Sequence, residues 1–166
     1  MTLSRRTLLF GALGGSLSAC AQQTKFRTYD GPEVTRIQVF KEARILQLIH
    51  ERTLLRAFKF ELGFAPTGHK VFEGDGRTPE GAYRINRANP DSRYHLSLGI
   101  SYPNANDIAK ARRMGRSPGG DIFIHGTPID VAGEDDWTVG CIAVSDADME
   151  EIYAMVNVGT KIFIYP

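Results

Sequence analysis

Residues 64–81, FAPTGHKVFEGDGRTPEG, hold four glycines and two prolines in eighteen positions. Proline removes a backbone donor, and glycine loses more freedom on ordering than any other residue, so no long regular element crosses this stretch. It cuts the chain into short segments, and most of them read as strands. VTRIQVF (34–40) alternates apolar and polar side chains, the period-2 pattern of a half-buried strand. RILQLIH (44–50) and TLLRAFKFELG (53–63) are rich in strand formers on either side of the tight connection at ERT (51–53), which predicts a hairpin. AYRIN (82–86), YHLSLGISY (94–102), DIFIH (121–125), GCIAV (140–144) and KIFIY (161–165) continue the series.

Two segments carry helix signals instead. NANDIAKARRMG (104–115) has Asn104 as cap and Gly115 as stop. Ser145, with Asp148 three residues on, comes close to a capping box. Behind it Met149, Ile152, Tyr153 and Val156 fall on one apolar face, and Gly159 ends the element. These signals predict a mainly β domain over residues 34–166, a sandwich-like or barrel-like sheet with two short helices on its rim.

The N-terminal residues 1–19 read as an export signal. Arg5 and Arg6 precede an uncharged run over 7–19, and thirteen residues are fewer than the roughly 20 that a spanning helix needs. With Ser4, Leu8 and Leu9 the arginine pair resembles a twin-arginine signal. LSAC (17–20) resembles a lipobox, in which Cys20 is acylated and becomes the mature N-terminus. Each buried CH₂ of such an anchor contributes about 0.8 kcal/mol. A plain secretory signal with an incidental Cys20 is the alternative. The expectation is an exported protein of the cell envelope or periplasm, anchored to a membrane through Cys20, with residues 20–33 as tether. Removing residues 1–19 takes two arginines and no acid, turning the formal charge from +1 to −1. No Lys/Arg run or basic helix offsets that, which argues against nucleic acid as a partner.

Lipidation of Cys20 leaves Cys141 without a disulfide partner, and a lone thiol in an oxidising compartment favours a chemical use. His125 ends DIFIH and Cys141 opens CIAV; both segments are apolar enough to lie side by side in one sheet. An imidazole beside a thiol takes its proton and later returns it to a leaving group, so a raised thiolate fraction is expected at Cys141. The Gly126 carbonyl is placed to fix the imidazole tautomer, and the N–H groups of Gly140 and Cys141 to meet a developing oxyanion. Thr138 offers a hydroxyl to the imidazole or to the turn. Blander readings stand beside these. Cys141 and His125 also fit a buried thiol near a core histidine. A zinc site from Cys141, His125 and His95 lacks any Cys-x-x-Cys or His-x-x-x-His pair. His95 fits a pocket wall or a half-exposed strand, and Arg77 fits a carboxylate partner or a plain turn residue. EDDW (134–137) reads as a solvated lid with Trp137 packed beneath, and His50 and His69 as solvated.

IHGTP (124–128) followed by TVGCIAV (138–144) resembles the L,D-transpeptidase catalytic-domain family (YkuD-like), whose signature is His-Gly, a loop, then Ser/Thr-x-Gly-Cys. GDGRTPEGAYRI (74–85) and YHLSLGISYPN (94–104) extend the resemblance over about residues 34–166. It implies a mostly β fold acting on peptidoglycan stem peptides, with no metal or organic cofactor. The residue matched by Cys141 attacks the carbonyl of the third stem residue, usually diaminopimelate, and expels D-alanine. The residue matched by His125 is general base and acid. An amine from a second stem then gives a 3→3 cross-link. One departure bears on the acceptor: the family commonly continues Gly-Cys-Ile/Val-Arg, and Ala143 stands in the arginine's place. Alanine cannot make a bidentate carboxylate contact. A hydrolase (L,D-carboxypeptidase or amidase) built on the same pair therefore stays open, as does a non-catalytic, lipid-anchored wall-binding protein.

Overall fold

The computed structural model describes residues 24–166, so the expected signal and Cys20 lie outside the described residues. In chain order the strands are β1 (Arg36–Phe40), β2 (Ile45–His50), β3 (Thr53–Lys59), β4 (Gly81–Asn89), β5 (Ser97–Ile100), β6 (Phe123–His125), β7 (Ile142–Ala143) and β8 (Lys161–Tyr165). Helix α1 (Ala105–Arg113) joins β5 to β6, and α2 (Asp146–Met155) joins β7 to β8. All eight strands belong to one sheet, in the order β3-β2-β1-β8-β4-β5-β6-β7.

The alternation read in the sequence sets which face is buried. Ile37 and Val39 of β1, Leu46 and Leu48 of β2, and Ile162 and Ile164 of β8 all point into the core. Each contributes about 1.5–3 kcal/mol by leaving water. The C-terminal strand holds a central place, parallel to β1 (Ile37↔Ile162) and antiparallel to β4 (Tyr83↔Ile162). Strand β4 changes partner along its length: Gly81 to Arg84 pair with β8, and Ile85 to Asn89 pair with β5, with an irregularity between Ile85 and Arg87. From α2, Met149 and Ile152 are fully buried against the sheet. Both caps form as the sequence predicts: Ser145 accepts from the Asp148 N–H, and Asn104 and Asp107 make a reciprocal capping box.

The edges of the sheet are β3 and β7, and they meet. Beyond Lys59 the chain leaves β2 and crosses to β7, where Glu61 and Ala143 exchange two backbone hydrogen bonds of 2.8 and 2.9 Å. Thr138 N–H donates to Leu62 O at 3.0 Å, and Phe64 N–H to Thr138 O at 3.1 Å. This closure makes the architecture barrel-like, one curled sheet, and it decides between the two forms the sequence left open. It also explains why β3 stops at Lys59 while its apolar pattern runs on to residue 63: the later residues pair elsewhere. Strand β5 is shorter than the expected 94–102, because His95 sits at φ 69° and turns the chain before Ser97. The described part of the expected tether lies against the domain. Arg27 Nε donates to Glu150 Oε2 at 3.0 Å, Lys25 Nζ donates to Pro90 O at 2.6 Å, and Tyr29 packs on the core.

Gly63 is the point of closest approach. A Cβ there would fall on the Gly76 carbonyl oxygen and within 2.6 Å of the Gly140 amide nitrogen, so three backbones meet with no room for a methyl group. Gly63→Ala is expected to lower unfolding free energy by about 1–3 kcal/mol, as forced overpacking does. Gly120→Ala, whose Cβ would meet nothing within 4 Å, is expected to stay within about 0.5 kcal/mol of the parent. Denaturant melts of the two variants make the comparison; equal stability would remove the closure argument.

Candidate active site

Strands β6 and β7 run side by side and parallel, with Ile124 opposite Ile142 and His125 opposite Ala143. Cys141 stands two residues before Ala143. The two segments predicted to be neighbours are neighbours; the sulfur lies against the Asp121 carbonyl, and His125 is not among the residues lining the Cys141 cavity.

The imidazole is buried, with 2% of its surface exposed. Tyr94 stacks on it at 4.5 Å between centroids, and Trp137 meets it edge-on at 5.5 Å. Nδ1 lies 2.7 Å from Gly126 O. A carbonyl only accepts, so Nδ1 carries the proton and Nε2 holds the free lone pair. Gly126 is glycine for a packing reason the sequence did not reveal: a Cβ would fall on Asp146 Oδ1 at the start of α2. That carboxylate also accepts from the Thr127 N–H at 3.0 Å. Burial pushes the His125 pKa below the ordinary imidazole value, against a smaller upward pull from the Gly126 carbonyl.

Cys141 is half-buried and lines a cavity of about 270 Å³ with Lys70, Glu73, Gly119, Gly120, Asp121 and Val139 among its walls. The turn that presents it is held from both sides. Gly140 stands at φ 125°, where a Cβ would come within 2.6 Å of Arg77 O. Its N–H donates to Thr138 Oγ1 at 3.1 Å, and its carbonyl accepts from Thr78 Oγ1 at 2.9 Å. Thr138 Oγ1 in turn donates to Cys141 O at 2.9 Å. The Gly140 amide is thus spent on the turn, whereas the Cys141 N–H has no protein acceptor among the described residues.

The thiol donates to Asp121 O at 3.6 Å, not to the imidazole. Burial pushes its pKa up, outweighing the Phe123 N–H and the Lys70 charge, which both pull it down. Burial favours the uncharged form of both groups, thiol and imidazole alike, which works against the raised thiolate fraction expected from the motif.

The remaining candidates separate. Arg77 is exposed, and its guanidinium lies against Gly68 rather than in the Cys141 cavity. His95 is tied to α2, with Nε2 3.0 Å from Glu150 Oε1, so it backs the His-Gly turn and lines none of the cavity. The acidic lid is anchored: Asp136 forms a fork with the Arg44 guanidinium and accepts from the Leu62 N–H at 3.2 Å. Trp137 packs as expected, though its buried indole N–H finds no acceptor among the described residues. One group was missed altogether. Lys70 is buried beside the thiol, its Nζ 2.8 Å from Asp75 Oδ1. Its only sequence signal is a cation in a turn-rich loop.

A family model described as the L,D-transpeptidase catalytic domain matches residues 34–164. The Escherichia coli (strain K12) protein named "Putative L,D-transpeptidase YafK" is 31% identical over 162 residues, covering 94% of this chain. The match spans 60% of that relative's length. Among solved structures, the helical cell shape determining protein Pgp2 of Campylobacter jejuni is 27% identical with a TM-score of 0.63. That match covers 82% of this chain and 49% of Pgp2. An L,D-transpeptidase from Mycobacterium smegmatis shares the fold at 17% identity and a TM-score of 0.54, over 80% of this chain and 59% of the other.

The protonation of the pair is open to measurement. The rate of Cys141 alkylation by iodoacetamide in the unliganded protein is expected to rise with an apparent pKa above that of free cysteine. A rate already at plateau below neutral pH would mean a preformed thiolate–imidazolium pair.

Proposed function

The chain belongs to the L,D-transpeptidase catalytic-domain family, and on that premise we propose that it is a cysteine acyltransferase acting on peptidoglycan stem peptides. One observation supports the reading: His125 pairs with Ala143 on adjacent parallel strands, Cys141 precedes Ala143 by two residues, Nε2 has the free lone pair, and a cavity opens at the sulfur. In the first step His125 Nε2 takes the Sγ proton as sulfur attacks the carbonyl carbon of the third stem residue. The oxyanion accepts from the Cys141 N–H, a contact worth about 2.7–4 kcal/mol where such donors have been removed. As the C–N bond breaks, the imidazolium returns its proton to the departing amine, leaving a Cys141 thioester. An amine of a second stem then attacks with His125 again as base, and the thiol is regenerated.

A second reading has its own observation. Ala143 lines a groove with five acids, Glu61, Glu134, Asp135, Asp146 and Asp148, and a single basic residue, Lys59, so no guanidinium is present to fork a carboxylate. With water as acceptor the same thioester gives an L,D-carboxypeptidase or amidase. We also propose export and a lipid anchor at Cys20, which would hold the domain at the wall it acts on. Cys20→Ala would then release the protein from the membrane fraction.

Purified protein incubated with defined muropeptides is expected to give 3→3 dimers with loss of D-alanine; trimmed monomers alone would mean the hydrolase. Cys141→Ala is expected to abolish turnover, and His125→Gln to reduce it by about 10²-fold or more. If Cys141→Ala kept full activity, the acyltransferase reading would fall. Because burial lowers the His125 pKa, the base stays unprotonated below the ordinary histidine value. The acid limb of kcat/KM is therefore expected below about pH 6.5. A limb above that value would contradict it.

A further inference from the structure

Among the described residues two lysines are buried, Lys41 and Lys70. An ammonium has three N–H donors, and a buried one must place them. Lys41 places all three, on Gly68 O at 2.6 Å, Thr78 O at 3.3 Å and Glu80 Oε1 at 2.7 Å. Lys70 places two, on Phe72 O at 3.2 Å and Asp75 Oδ1 at 2.8 Å. It also lines the Cys141 cavity, which Lys41 does not.

The Lys70 ammonium is held in place from below. Asp75 accepts from the N–H groups of Val71 at 2.7 Å, Phe72 at 3.2 Å and Arg77 at 3.1 Å, so the carboxylate that anchors Lys70 is fixed by its own loop. Two acids share the cavity rim, neither bonded to Lys70: Asp121 is paired with Arg87 at 2.7 Å, and Glu73 is exposed to solvent, which screens its charge. Ala143 supplies no cation, and the Arg77 guanidinium lies elsewhere. Lys70 is thus the buried cation beside the thiol.

We propose that Lys70 is the specificity-determining cation of this site, presenting its third N–H to a carboxylate of the stem peptide whose carbonyl Cys141 attacks. The assignment rests on the acyltransferase reading and goes further, because it names the anionic group recognised. Two carboxylates near the scissile bond have this chemistry, that of the terminal D-alanine and that of the diaminopimelate centre not engaged in the bond.

Binding separates these outcomes from turnover. In full-length protein carrying Cys141→Ala, calorimetric titration uses the stem tetrapeptide and two analogues, one amidated at D-alanine and one at diaminopimelate. Adding Lys70→Met is expected to weaken the free tetrapeptide about 10- to 100-fold. It should leave the affinity for one amidated analogue unchanged, and that analogue names the carboxylate. Lys70→Arg is expected to keep most of the affinity. Since Lys70→Met leaves Asp75 buried without its cation, Lys70→Met/Asp75→Asn serves where the single variant fails to fold. Equal weakening of all three peptides, or none, would overturn the assignment while leaving Cys141-dependent turnover intact. Turnover that survives Cys141→Ala would instead overturn the acyltransferase reading, and this assignment with it.

Discussion

The site exists because the two edges of one sheet meet. Four backbone hydrogen bonds join residues 61–64 to Thr138 and Ala143, and they hold both ends of the segment that contains Cys141. At Gly63 that seam touches the Gly76 carbonyl, so the glycine-rich loop is pressed against the same turn. Thr78 and Thr138 then bind the carbonyl and amide of Gly140 from opposite sides. The thiol thus sits on a turn pinned on both sides, immediately before the two-residue strand β7.

Within that frame the electrostatics favour neutrality. His125 lies between Tyr94 and Trp137, and burial disfavours its cation as it disfavours the Cys141 thiolate. A neutral pair costs little to bury and resists adventitious oxidation, because the thiolate is the reactive form. On the proposed reading, charge separation would be deferred to the moment when a carbonyl is present to receive the sulfur. The charged groups at the cavity are Lys70, anchored by Asp75 with one N–H unplaced, and the rim acids Glu73 and Asp121.

Much of this was legible in the chain. Period-2 patterning gave the strands because each has one buried face, and the caps at Asn104 and Ser145 gave the helices because capping is a local interaction. The pairing of β6 with β7 could be read because His125 ends one short apolar run and Cys141 opens the other. The long-range features could not be read. Residues 60–63 continue the apolar pattern of β3, and nothing local says that they change partner. Lys70 sits in a loop without periodicity, and its position follows from three amides gathered by Asp75. The protonation of Cys141 depends on depth of burial, which the motif does not carry. Gly126 was read for its carbonyl, and the carboxylate of Asp146 that excludes a side chain there comes from a helix twenty residues away.

The central claim is that sulfur forms a bond to substrate with the imidazole as base, and intact-protein mass spectrometry tests it most directly. The full chain, mixed with a stem tetrapeptide and quenched in acid within one turnover, is predicted to gain the mass of the peptide less D-alanine. Peptide mapping is predicted to place that mass on Cys141, and His125→Gln to delay its appearance. Turnover with no adduct at any quench time, or an adduct on another residue, would contradict the account.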